Sequence, residues 1–365
     1  MHRSLRGAAL LAAVVLTGCA TGGMGSRAAR SQAASEAAAA TRAWPVVTRE
    51  HVDLWLHGYA MLTRDAAQVP VFRRGYRDSI EVRRRQANVL TGLDANHTKL
   101  ATLMAQNSEI SGAQFLPLYF DSWDQMIQAT GAFLQAEGNP RTANPAFRAQ
   151  VALIASMLPT AQDREWLRLF TQSLGDESEH FFHRYWTAQQ EQRGPLVVAA
   201  DSLWMSLRPR FQRFLTNTHQ LDGELVLSLV IGGEGRTLNA SPKHNVMVVG
   251  LPESRAGLDE PIYGFAHEAV QSISNAAVFQ NTTAADQRDG VAAGYGPTAA
   301  VRGGAMLLGR VAPELADGFM RFYLRQAGVE PPAGNVEATF VGTFPLPTAI
   351  EASMSRQIDT ALGGI

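Results

Sequence analysis

The apolar pattern of this chain changes period once, and that change sets its fold class. From Thr48 to about Gln220, large apolar residues recur three and four apart. Thr48 reads as an N-cap, and Val52, Leu54, Trp55, Leu56, Tyr59 and Leu62 follow it along one helical face. The same spacing predicts helices over 115–135, 145–157, 163–173, 176–192 and 195–216. Glu137-Gly138-Asn139-Pro140 and Arg193-Gly194-Pro195 read as interruptions between them. After Asp222-Gly223 the pattern becomes continuous and β-branched, so 224–231 and 245–250 read as strands. Helices are expected again at 261–279, 297–308, 313–326 and 346–362. The fold class is therefore mainly α with a small β-sheet (α+β), with a helical region over 46–220 and a mixed region over 221–365.

Packing alone has to hold such a fold together. Cys19 is the only cysteine among 365 residues, so no disulfide can form within the chain, while 46% of the residues are hydrophobic. Arg73-Arg74 and Arg83-Arg84-Arg85 are locally basic, but the net charge of -1 argues against a nucleic-acid partner. Aromatics at helical spacing, among them Trp55, Trp166, Phe181 and Phe182, are expected in the core.

The amino terminus carries an address. A basic start with His2, Arg3 and Arg6 precedes a short apolar run over 8–17. As a helix that run falls short of the about 20 residues needed to span a bilayer. Leu16-Thr17-Gly18-Cys19 resembles the lipobox of bacterial lipoproteins. The resemblance implies that 1–18 is a signal peptide, that Cys19 is lipidated, and that the mature protein is anchored to a membrane of the cell envelope. The absence of aspartate at Ala20 implies the outer membrane, facing the periplasm. Residues 19–45, rich in Ala, Gly, Ser and Thr, read as a tether.

One motif carries chemistry. His267-Glu268-Ala269-Val270-Gln271 resembles the HExxH helix of gluzincin-type zinc metallopeptidases, with Gln271 in place of the second histidine. The resemblance extends over roughly 221–326. It implies a zincin-like second half, zinc held by His267 and Gln271, and Glu268 as general base on a zinc-bound water. It also implies a third ligand on a helix downstream, yet the helix from Pro297 has no carboxylate and carries Arg302. Asp286, Asp289, Glu314 and Asp317 are the other acidic candidates there. Tyr295, between Gly294 and Gly296, reads as an oxyanion donor or as a loop tyrosine packed on the core. In such folds an edge strand binds an extended peptide. Residues 225–231, with Gly232, Gly233 and Gly235 as a substrate-binding rim, would fill that role or form a plain hairpin. A carboxamide is a weak zinc ligand, so a weakly active or inactive, peptide-binding descendant is expected.

Other readings compete. Glu177, Glu179, His180 and His183 have the spacing of a Glu-x-x-His metal motif, but a second such motif is absent. Asp176 instead reads as the cap of a helix that Glu177 and Glu179 favour at its positive end. His244, before the second strand, is a candidate substitute ligand or a polar boundary residue. Gly-x-Ser-x-Gly and Gly-Lys-Ser/Thr motifs are missing. The alternative function is a non-catalytic helical scaffold of the envelope, with His267-Glu268 incidental.

Overall fold

In the computed structural model, which describes residues 44–63, 67–220, 222–241 and 244–363, the chain runs through these elements in order. Strand β1 (Val46–Val47) leads into α1 (Glu50–Leu62), α2 (Tyr76–Ala87), α3 (Gly92–Gln106), α4 (Ser108–Gly112), a 3-10 turn (Ala113–Tyr119), α5 (Trp123–Gln135), α6 (Arg148–Met157) and α7 (Ala161–Glu177). A π-helical turn (Ser178–Phe182) joins α7 to α8 (His183–Asn217). Strands β2 (Gly223–Ser228), β3 (Arg236–Ser241) and β4 (His244–Gly250) follow. The chain closes with α9 (Glu260–Ala269), α10 (Gln271–Gln280), α11 (Ala284–Arg288), α12 (Val291–Val311), α13 (Ala316–Gln326), α14 (Glu337–Thr343) and α15 (Thr348–Ala361). The protein is mainly helical with one small mixed sheet, as its periodicity requires. The expected signal segment, Cys19 and residues 20–43 of the expected tether lie outside the described residues, and Trp44, at the end of that expected tether, is buried in the core. Among the described residues no helix is long and apolar enough to cross a membrane.

Residues 46–220 and 221–365 belong to one unit, Arg42–Ile365, and share its core. Trp44 stands edge-on to Phe265 of α9, and its carbonyl accepts the indole N–H of Trp204 in α8 at 2.9 Å. Trp55, Tyr59, Trp166 and Phe170 form a second aromatic group between α1 and α7. Helix α7 begins with a reciprocal cap. Thr160 Oγ1 accepts from the Asp163 amide, and the Asp163 carboxylate accepts from the Thr160 amide.

The expected breaks within 163–216 do not occur. Helical backbone continues from Ala161 to Asn217, through Pro195 and Pro209. A proline inside a helix costs about 3 kcal/mol. Burial of Trp204, Leu207, Phe211, Phe214 and Leu215 on the same helix offsets that cost. Asp176 caps α3 of the neighbouring layer, accepting from the Gly92 amide at 2.5 Å, and starts no helix of its own.

The sheet order is β1-β2-β4-β3. Strands β1, β2 and β4 are parallel, and β3 runs antiparallel on the outside of β4. The expected edge strand is therefore an inner one. Strand β2 lies between β1 and β4, and its continuation is covered by 71–73, where the Arg73 amide donates to Val230 O and the Gly232 amide to Val71 O. The outer strands are β1 and β3, and β3 carries no strand signal in its sequence because Arg236-Thr237-Leu238-Asn239 has too little apolar content to announce one.

Asp53 ends β2. This carboxylate is buried in the first turn of α1 and accepts from Ser228 Oγ at 2.5 Å, from the Leu229 amide at 3.2 Å and from the Trp186 indole at 3.0 Å. Leu229 thus donates to a side chain instead of a neighbouring strand, and the chain turns into the glycine-rich loop.

Candidate functional site

The helix expected over 261–279 is two helices, α9 and α10, meeting at Val270. His267 and Glu268 lie in the last turn of α9, and Gln271 opens α10. The i,i+4 geometry that aims two ligands at one metal is thus interrupted between His267 and Gln271. His267 Nδ1 lies 2.9 Å from Glu268 Oε1, and both residues are almost fully buried. Thr237 Oγ1 of β3 donates to the other carboxylate oxygen at 3.4 Å. Above the pair sits Gly235: a Cβ there would come within 3.0 Å of Glu268 Cγ and 2.5 Å of the Val248 carbonyl. Gly304 of α12 packs against the His267 backbone, where a Cβ would lie 3.2 Å from the amide nitrogen.

The phenol beside this pair is Tyr323. Its ring stacks on the His267 imidazole with centroids 5.4 Å apart, and its hydroxyl donates to Gly233 O at 3.0 Å. Tyr295 is elsewhere. It lies within α12, not in a loop, and packs on the small apolar cluster of Ala277, Val278, Ala299, Ile350 and Met354. Arg302 also turns away, pairing with Glu351 and donating to Phe344 O. Glu314 is paired with Arg210 and Asp317 with Arg321, and Asp286 caps its own short helix at Thr283. The side chain of His244 lies outside the described residues.

Among the described residues no group of three or more His, Cys, Asp or Glu side chains is placed to hold a metal ion. One imidazole with its Nδ1 engaged by the neighbouring glutamate falls short of the three protein ligands that catalytic zinc uses. The second histidine cluster also disperses. Glu177 is buried against His57, Arg84 and Thr91, whereas His180 lies beside Asp176, His183 pairs with Glu50, and Glu179 faces solvent.

Gly232, Gly233 and Gly235 come together where the parallel strands β2 and β4 end. With Gly250 and Gly264 they wall a cavity of about 290 Å³. Clefts at the carboxyl ends of parallel strands are common ligand sites, because the loops there diverge. Arg73, Arg74, Arg325, Glu253 and Glu260 supply its charge. Arg73 is held by Glu253 at 2.6 Å and by Leu251 O, and this bond keeps the Glu253 carboxyl below the usual range. Arg74 donates to Gln326 O. Glu260 is half-buried and without a hydrogen bond or ion pair among the described residues. Burial raises its carboxyl above the usual value, against the opposing field of Arg73 and Arg325. His267 and Glu268 do not line this cavity, whereas Gly235, which packs on Glu268, and Gly233, whose carbonyl accepts from Tyr323, do.

Sequence reasoning missed Tyr323, Glu260 and Arg325. Tyr323 belongs to an ordinary apolar stripe with Phe319 and Phe322, and only the packing of α13 on α9 brings it to His267. Asp53 did leave a signal, since it is a carboxylate inside the otherwise apolar run of α1.

No family model matches this chain, and no match was found among curated proteins or solved structures. Fold and site thus define an α+β protein with a polar, glycine-walled cavity at one end of its sheet and a buried histidine–glutamate pair beneath it.

Proposed function

We propose that this protein is a lipid-anchored lipoprotein of the cell envelope, at the outer membrane facing the periplasm, whose 221–365 region is zincin-like, has lost peptidase chemistry and binds an extended peptide. The observation that carries the reading is the closure of His267 on Glu268 beneath Gly235. A glutamate bonded to its neighbour's imidazole is poorly placed to take a proton from an attacking water. The binding half of the proposal draws on β3. It is an outer, antiparallel strand that directly precedes the strand leading into the His267 helix, and among the described residues it pairs only with β4. A peptide added along β3 would gain backbone hydrogen bonds, and the neighbouring cavity would take a polar side chain or terminus.

The test uses residues 42–365 and a library of short peptides, each made with and without backbone N-methylation, followed by calorimetry and product analysis. Peptides should bind, N-methylation should abolish binding, and no peptide should be cut. Cleavage that disappears in Glu268→Gln would restore the peptidase, and failure of every peptide to bind would leave the scaffold reading.

A further inference from the structure

A second surface, remote in sequence from the cavity, has a composition of its own. Between α2 and the start of α8 lies an open groove of about 500 Å³. Its floor is apolar, formed by Val89, Phe181 and Tyr185, with the two rings stacked at 5.7 Å and 7° between planes. Its rim carries two guanidinium groups, Arg83 and Arg184, beside His180, and no carboxylate lines it. The Arg83 guanidinium lies 5.8 Å from the Tyr185 ring centroid, and Arg184 donates to His180 O. The His180 ring sits 3.2 Å from Asp176.

The π-helical turn builds this groove. One extra residue in the turn lets Phe182 enter the core, fully buried, while its neighbour Phe181 faces the groove. Val89 is shared with the adjoining turn between α2 and α3, where Leu90 is 87% exposed. Val82 and Arg85 are exposed on the same helix, α2. The hollow beside Leu90 is lined by Arg84 and Arg85 and by Glu81 and Asp94, and each of these carboxylates is already paired, Glu81 with Arg77 and Asp94 with Arg84. An exposed leucine at a turn tip, flanked by the guanidinium groups of Arg83, Arg85 and Arg184, is costly in water and matched to the boundary of an anionic bilayer, where methyl groups reach acyl chains and guanidinium groups meet phosphates.

We propose that this corner docks on an anionic lipid surface, with Leu90 entering the interface and Arg83, Arg85 and Arg184 against the headgroup phosphates. The proposal does not depend on lipidation of Cys19 or on peptide binding. It is tested on residues 42–365, which contain the hydrophobic core of the described residues and lack both the proposed signal and the proposed anchor.

The probe is a set of phosphatidylglycerol vesicles and a matched set of phosphatidylcholine vesicles, assayed by co-sedimentation at low and high salt. The protein should bind the anionic vesicles and leave the neutral ones, with affinity falling as salt rises. The double variant Arg83→Glu/Arg184→Glu should bind the anionic vesicles about tenfold more weakly. Leu90→Asp should weaken binding roughly fivefold, and Arg356→Glu, on α15, should leave it unchanged. Thermal melting of each variant checks folding, and Arg83→Gln/Arg184→Gln replaces the double reversal if that variant melts early. Equal binding to both vesicle types, no binding to either, or binding indifferent to the arginine changes in folded protein would overturn the proposal.

Discussion

His267 Nδ1 and Glu268 Oε1 are 2.9 Å apart, although successive residues on a helix point about 100° away from each other. The contact places the carboxylate where it orients the ring, and Thr237 of the edge strand engages its second oxygen. A pair so enclosed acts as a strut between α9 and β3.

Removal of that carboxylate should therefore cost stability. Glu268→Ala strands a buried imidazole, with an expected loss of about 1–3 kcal/mol in chemical denaturation. Zinc added to the wild-type protein should leave its melting temperature unchanged. A zinc-dependent rise that vanishes in His267→Ala would show that the pair opens to bind metal.

Asp53 should make stability depend on pH in the sense opposite to ordinary carboxylates. Burial pushes its carboxyl from 3.8 up to about 6, outweighing the bonds from Ser228, Trp186 and Leu229. The folded state then holds the proton more tightly than the unfolded one. This contribution is fully present below the unfolded value and is lost as pH rises through 6, by about 3 kcal/mol. Urea denaturation from pH 3 to 7 should show wild type losing that amount relative to Asp53→Asn. A constant difference between the two proteins would contradict the assignment.

Glu177 should behave the other way. Burial pushes its carboxyl up, but the bond and charge of His57, the Arg84 guanidinium and Thr91 outweigh it and hold the group below 4.5. Its contribution is complete above 4.5 and disappears as pH falls through the lowered value. Near neutrality Glu177→Gln should cost about 3 kcal/mol, because it removes a charge from inside a paired, fully buried network. Thermal scans at pH 7 and below pH 4 should show the penalty shrinking in acid.

The glycine wall makes a steric prediction. Gly235→Ala would place a methyl group 2.5 Å from the Val248 carbonyl, a backbone atom of the sheet that cannot yield, and should cost about 1–3 kcal/mol. At Gly233 the nearest atoms belong to the flexible Gln326 side chain, so Gly233→Ala should cost less while narrowing the cavity and weakening ligand binding. Equal destabilisation by the two substitutions would show that the loop moves as a unit.

The class of fold, the two inner strands and most helices of the first half are legible from the residues alone, because each depends on periodicity within one segment. The buried positions of Trp55, Trp166, Phe182 and the apolar faces follow from the same local pattern. Tertiary structure decided the rest. Continuity of the helix through Pro195 depends on the core that Trp204 and Phe211 fill. The strand at Arg236–Ser241 exists because β4 offers it a partner, and β2 lost its edge to Val46–Val47, more than a hundred positions earlier. The site divides in the same way. His267, Glu268 and the glycines were legible as residue types, whereas Tyr323 beside the imidazole, the distance of Tyr295 and Arg302 from it, and the gathering of Arg73, Glu260 and Arg325 around one cavity arise from contacts between segments far apart in the chain. Local propensity carries no information about such contacts; packing does.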